Sequence, residues 1–245
     1  MQTNKLLVGL SVAMLIGSGS LQGEEGSAPS RAEIEKIVRE YILQHPEVLM
    51  ESVQSHRERE RAQAQRRSKD AVAANRRELF DDSASPVAGT AGAAVTIVQF
   101  FDYKCGYCRK VSPTLSALME KHKNVRIIYK ELPILGADSH MAARAALAAE
   151  KQGAYAAFHR ELMNLGGPVT PEAIEGTGKK LGLDVAKLKT DMTSKEVEGA
   201  LMQNQRLASA IGVQSTPSFV IGGELISGAM DLTRFEEVIS KNTSR

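Results

Sequence analysis

The sequence predicts an α/β domain interrupted by a run of helices and preceded by a separate helical segment. Three observations predict it. Strand signals fall only at residues 94–101 (AVTIVQFF), 125–132 (VRIIYKEL), 218–221 (SFVI) and 224–227. Helical patterning fills the space between the second and third of these, which separates a βαβ unit from a ββα unit. The chain's only two cysteines, Cys105 and Cys108, stand two residues apart where the first strand hands over to a helix read at 106–121.

Ahead of this domain, residues 31–44 place Ile34, Ile37, Val38, Tyr41 and Ile42 on one helical face. His45-Pro46 interrupts that helix, and Pro46 suits the first turn of the next. Val48, Leu49, Met50 and Val53 form a second apolar patch. From Ser55 the chain turns strongly charged but remains rich in helix formers, as an exposed helix or helical spacer would be. A Ser-, Pro-, Gly- and Ala-rich stretch at 81–92 marks a boundary. A short amphipathic helix is marginal alone and gains from a partner. Self-association through residues 31–55 is therefore expected, against the alternative that these helices pack back onto the catalytic domain.

Within the α/β domain, Pro113 is expected to kink the helix at 106–121, and Asp138 to cap an alanine-rich helix at 139–152. Further helices are read at 155–164, 171–181, 185–191 and 195–210, with Thr170, Asp184 and Ser194 at their starts. A last amphipathic helix is read at 231–240. The domain organisation expected is a signal peptide at 1–22, a helical segment and linker at 24–84, and a catalytic domain at 85–245 with its insertion at about 138–210. Lys5, the apolar stretch 6–16 and the small residues 17–20 carry the signal-peptide reading and point to export into the periplasm.

The composition is that of an ordinary globular protein, with 42% hydrophobic and 24% charged residues. A net charge of +2 gives no reason to expect nucleic acid, and the arginines at 57–67 alternate with glutamates as on a solvated helix. Two cysteines and five scattered histidines give no zinc spacing, and the histidines read as solvated or helix-surface residues.

A C-x-x-C beside a βα pattern is a thioredoxin-like redox motif. The first N–H groups of a helix lack internal partners and the dipole is positive there, so a thiolate at that point is stabilised. Cys105, the outer thiol, is the expected nucleophile. Cys108, one turn in, is the expected resolving thiol, attacking the mixed disulfide that Cys105 forms with a substrate. Lys104 and Arg109 bring positive charge close by. The dithiol is itself the redox centre, so no external cofactor is expected.

With Phe100 to Cys108, the Ser215-Thr216-Pro217-Ser218 stretch and the helices between, residues 92–245 resemble the DsbA-like branch of the thioredoxin superfamily. The resemblance implies a thioredoxin fold with an inserted helical domain and a cis-proline at Pro217. It also implies that Thr216 and Pro217 shape the substrate groove beside Cys105 and Cys108. With its N-terminal helices, the whole chain looks like the suppressor-of-copper-sensitivity C (ScsC) proteins and their trimeric relatives. That resemblance implies a homo-oligomer, trimer favoured, and leaves Cu(I) binding at Cys105 and Cys108 as a side activity.

Gly106-Tyr107 between the cysteines, with Thr216 before the proline, is the pattern of the bacterial isomerase DsbC and departs from the Pro-His of strongly oxidising DsbA. Disulfide isomerisation of misfolded, cysteine-containing secreted proteins is therefore expected, with a membrane thiol reductase keeping the pair reduced. A DsbA-type oxidase and a Cu(I)-sequestering or holdase-like binding protein are the alternatives. DsbA-like proteins usually carry a buried Glu ahead of the cysteines; this chain has Gln99, which cannot titrate. Asp102, Lys130 and Glu131 are the candidates for proton management, Glu131 reading most simply as a surface charge.

Overall fold

The computed structural model describes residues 28–243, so the signal-peptide reading at 1–22 lies outside the described residues. The chain divides into two units within one helix, the first ending at His56 and the second beginning at Arg57.

The first unit contains helix α1 (Arg31–Gln44) and the start of α2 (Pro46–Ala74). A reciprocal capping box starts α1. The Glu33 N–H donates to Ser30 Oγ (3.4 Å), and the Ser30 N–H donates to Glu33 Oε2 (2.8 Å). His45 ends α1, its N–H bonding the Tyr41 carbonyl, and Pro46 opens α2 where no donor is needed. No residue of α1 is buried, and Ile34, Ile37, Val38, Tyr41 and Ile42 all stand exposed, Ile37 by 60%.

The second unit is a five-stranded sheet with helices on both faces. Its strands are β1 (Val87–Gly89), β2 (Val95–Phe101), β3 (Val125–Glu131), β4 (Ser218–Ile221) and β5 (Glu224–Ser227), in the order β1-β3-β2-β4-β5. The helix α4 (Gly106–Lys121) joins β2 to its parallel neighbour β3, and the other pairings are antiparallel. Central strands covered on both faces bury nearly every side chain, which is why β2 reads as an apolar run; β3, which reads as alternating, buries Lys130 and Glu131 as well.

One face carries Ile97, Phe101, Ile127, Tyr129, Phe219 and Ile221. It packs against α4, against the last helix α10 (Leu232–Thr243), whose Phe235 meets Phe219 edge-on, and against the inserted helices. The insertion comprises α5 (Ala137–Glu150), α6 (Tyr155–Met163), α7 (Pro171–Lys180), α8 (Val185–Asp191) and α9 (Lys195–Ile211). Thr170, Asp184 and Ser194 each cap their helix through the side chain, as the sequence predicts. Asp138 does not cap α5: Gly136 holds that position, and the Asp138 carboxylate instead takes Lys104 Nζ at 3.0 Å.

The opposite face carries Val98, Phe100, Ile128 and Val220, and it is covered by Val72 of α2, Leu79 of α3 (Arg76–Phe80), and Leu207 and Ile211 of α9. Ser68 Oγ donates to the Ile211 carbonyl at 3.1 Å. The compact unit bearing the cysteines thus begins at Arg57, upstream of the boundary at 85 read from the sequence. A sheet face of this size needs an apolar cover, and Val72 and Leu79 supply part of it from within a charged run. The linker read at 81–92 also contains β1, an edge strand. Its Gly89 has φ +101°, and a Cβ there would come within 2.7 Å of the Val125 carbonyl, so the strand end requires glycine.

Candidate active site

The loop from β2 to α4 is held before the cysteines begin. Asp102 is buried and accepts four hydrogen bonds, from the N–H groups of Lys104 (2.7 Å), Ile134 (2.8 Å) and Leu135 (3.0 Å) and from Ser139 Oγ (2.7 Å). These ties lock the cysteine loop to the turn after β3. Arg109 braces the same loop from α4, its Nε donating to the Tyr103 carbonyl (2.7 Å) and its Nη1 to the Leu165 carbonyl (3.2 Å). The two cations read as a local positive field are thus both engaged, Lys104 with Asp138 and Arg109 with backbone.

Cys105 occupies the N-cap of α4 in an extended conformation, and Cys108 lies one turn inside; both are free thiols. Cys105 is 8% exposed and Cys108 fully buried. Burial pushes the Cys108 thiol far above its ordinary value. Cys105 Sγ donates to the Thr216 carbonyl at 3.2 Å, and the Thr216–Pro217 bond is cis. The Pro217 carbonyl accepts from Gly228 N–H at 2.8 Å, and Ser218 Oγ from its side ties back to the Ser215 carbonyl at 2.7 Å. The proline loop is therefore fixed on both sides of the residue that meets Cys105. A cavity of about 540 Å³ opens beside the pair, lined by Tyr107, Lys110, Val111, Thr216, Pro217 and Met230, with Tyr107 68% exposed at its rim. The Gly106-Tyr107 and Thr216-Pro217 dipeptides, far apart in sequence, thus both stand beside the two thiols.

The surroundings correct three sequence readings. Glu131, read as a surface charge, is buried and takes Tyr103 Oη (3.0 Å) and Tyr155 Oη (2.7 Å) on Oε1. His159, read as a surface histidine, is 6% exposed within a group of Phe101, Tyr103, Tyr129 and Tyr155, its Nδ1 at 3.0 Å from Tyr103 Oη. Burial holds its imidazole neutral, down to about 3. Lys130 is wholly buried on the other sheet face, pairing with Asp82 Oδ2 (2.7 Å) and the Glu78 carbonyl (2.8 Å), which takes it away from the dithiol. Gln99 is buried in β2, its Oε1 without a hydrogen-bond partner among the described residues. Sequence reasoning missed Tyr103, Tyr155 and His159; the available signal was Tyr103's position inside the cysteine loop. Among the described residues no group of three or more His, Cys, Asp or Glu side chains is arranged to hold a metal ion.

Residues 96–240 match the DSBA-like thioredoxin domain family. The chain belongs to the DsbA-like thioredoxin family. Its catalytic domain is of the thiol–disulfide oxidoreductase type. Residues 31–63 match a second family, the copper resistance protein ScsC N-terminal domain. Among solved structures, a thioredoxin-like oxidoreductase from Silicibacter pomeroyi DSS-3 is 38% identical, with a TM-score of 0.68 over 70% of this chain and 99% of that one. Proteus mirabilis ScsC in a transitional conformation is 29% identical, with a TM-score of 0.66 over 87% of this chain and 96% of that one. Among curated relatives, the Na(+)/H(+) antiporter NhaA 3 of Salinispora tropica is 27% identical over 62% of this DsbA-like chain. The chain spans only 24% of that antiporter's length.

Proposed function

We propose that this protein is a periplasmic disulfide isomerase that works as a homo-oligomer, trimer favoured. Cys105 is the nucleophile and Cys108 resolves. Thr216 and Pro217 receive an extended segment of the client, and Gly106-Tyr107 sets the poise of the pair. Clients are misfolded secreted proteins carrying wrong disulfides, and a membrane thiol reductase returns the pair to the dithiol.

The observation that carries this reading is the uncovered apolar face of α1 in a segment that matches the ScsC N-terminal domain. Large apolar side chains aligned on one face of a helix call for a partner surface. Identical chains meeting there would place several dithiols on one assembly and raise their effective concentration around a client. The Cys-Gly-Tyr-Cys sequence adds that Cys105 need not be over-stabilised as a leaving group, so it can keep attacking wrong disulfides.

The test is made in the full-length chain with Ile37→Glu and Tyr41→Glu together, both at exposed positions. Expected is a fall to monomer mass by sedimentation velocity and loss of scrambled-ribonuclease reactivation, with exchange on a small disulfide retained. An unchanged mass with full reactivation rejects the assembly. Removal of the segment is better made at Arg57 than near 85, because Leu79 and Asp82 support the catalytic unit.

The description of the N-terminal family as a copper resistance domain supports a second reading, Cu(I) sequestration. Two thiols can take the soft ion Cu(I), but Cys108 must first lose a proton that burial holds firmly. Tight stoichiometric Cu(I) binding without disulfide turnover would replace the enzyme reading.

A further inference from the structure

We propose that Glu131 is a positioning residue whose protonation is linked to the oxidation state of the dithiol: through Tyr103 it fixes the loop that carries Cys105, and it takes up a proton as the pair is reduced. This rests on the reading that Cys105 and Cys108 are the exchanging pair.

Glu131 ends β3 on the same sheet face as Tyr129. The groups acting on it directly are Tyr103 and Asp102 from the cysteine loop and Tyr155 from α6. Behind them stand His159, bonded to Tyr103, Tyr129, which adjoins His159 and Tyr155, and Arg160, whose charge acts on Tyr129 and His159. Asn204 of α9 reaches only its backbone carbonyl, and the neighbouring Lys130 is engaged on the far side of the sheet. No ion pair to Glu131 occurs among the described residues, and its Oε2 has no hydrogen-bond partner there. Burial, foremost, and the negative Asp102 nearby push its carboxyl well above the usual range, against the two tyrosine hydrogen bonds.

The hydrogen bonds at Oε1 form a chain that keeps its partners in either protonation state, while Oε2 has none among the described residues. With Glu131 ionised, Tyr103 O–H donates to Oε1 and His159 Nδ1–H donates to the tyrosine oxygen. With Glu131 protonated on Oε1, that proton is donated to Tyr103, whose O–H turns to a bare Nδ1. His159 stays neutral in both, and Tyr155 donates to Oε1 in both. Tyr103 connects this chain to the dithiol, since it lies in the cysteine loop and its carbonyl receives Arg109.

The redox step balances as follows. A client dithiol supplies two electrons and two protons; its sulfurs join, and the Cys105–Cys108 bond breaks. One proton remains on buried Cys108. The other goes to Cys105 or, where Cys105 stays a thiolate, to an ionised Glu131. At an effective dielectric of about 20, a unit charge about 10 Å away shifts a proton equilibrium roughly tenfold. The reduced pair therefore raises the proton affinity of Glu131 above its affinity in the disulfide form.

The test is the equilibrium constant against glutathione, measured from pH 6 to 9 for the full-length protein and for Glu131→Gln. Expected are agreement at low pH and divergence of several-fold at high pH, with Glu131→Gln the more easily reduced. Superimposable curves overturn the proposal. Should Glu131→Gln not fold, oxidised-minus-reduced infrared spectra of the unaltered protein decide: a change in a protonated-carboxyl band is expected, and its absence overturns the proposal. Tyr103→Phe, which keeps the ring but cuts the chain, should shift the pH at which the curve breaks. Turnover of a cysteine-containing peptide by the unaltered protein separates the two levels. Its absence defeats the functional reading, whereas turnover with superimposable curves defeats only the role of Glu131.

Discussion

Replacing Cys105 with Ser is expected to reduce thiol–disulfide exchange to the uncatalysed level, whereas Cys108→Ala should leave a protein that accumulates as mixed disulfides with its clients. The asymmetry follows from placement. Cys105 sits at the helix N-cap, against the carbonyl of Thr216 and beside the cavity, where a client sulfur can reach it. Cys108 is fully buried, so in the proposed mechanism it can attack only a disulfide already formed on Cys105. Non-reducing gels of each variant incubated with reduced and with scrambled ribonuclease read this directly. Mixed disulfides on Cys105→Ser would reverse the assignment. The pH dependence has a definite sign. Burial raises Cys108 above an ordinary thiol, and only its thiolate can resolve. Release of the mixed disulfide therefore accelerates as pH rises through the range where ordinary thiols have already ionised.

Asp82→Ala is expected to cost about 3–5 kcal/mol of stability, because it leaves the Lys130 ammonium buried with only the Glu78 carbonyl. Lys130→Met costs less. The Lys130 side chain is 0% exposed but that of Asp82 is 12% exposed, so the freed carboxylate can turn to water while Met fills the apolar site. The double variant should be no less stable than Asp82→Ala alone. Urea unfolding of the three proteins measures the order, and equal losses from both single variants would contradict it. Burial raises the Asp82 carboxyl, but hydrogen bonds from Lys130, Ser85 and the Ala84 N–H outweigh it, and the net direction is down. A carboxyl depressed on folding adds stability above its unfolded value of about 3.9, and that stability is lost as pH falls through the folded value. Asp82→Asn flattens this acid limb. Glu131 has the opposite sign: its raised carboxyl favours folding at low pH, and the gain is lost as pH rises.

The parts of the fold legible in sequence were those with a local signature. The helix at 106–121 and the strands 218–221 and 224–227 follow from periodicity and turn residues, and Thr170, Asp184 and Ser194 announce their helices by cap chemistry. The cysteine pair was legible because two cysteines at that spacing leave few other readings. Pro217's cis bond came only with the family resemblance.

What stayed hidden depends on contacts between distant segments. Val72 and Leu79 look incidental in a charged run, yet they cover a sheet face. Glu131 and His159 are residue types usually found outside, and what buries them is a set of tyrosines from three other positions in the chain. The loss of a titratable group at Gln99 was visible, and Glu131 stood among the candidates to take over its role, but the burial of Glu131 was not visible.

The most direct measurement sets scrambled ribonuclease beside reduced ribonuclease, each incubated with the full-length protein in a glutathione buffer. Disulfide isomerase activity predicts reactivation of the scrambled enzyme, abolished by Cys105→Ser. Rapid oxidation of the reduced enzyme without any reactivation of the scrambled one would contradict it and identify a dithiol oxidase instead.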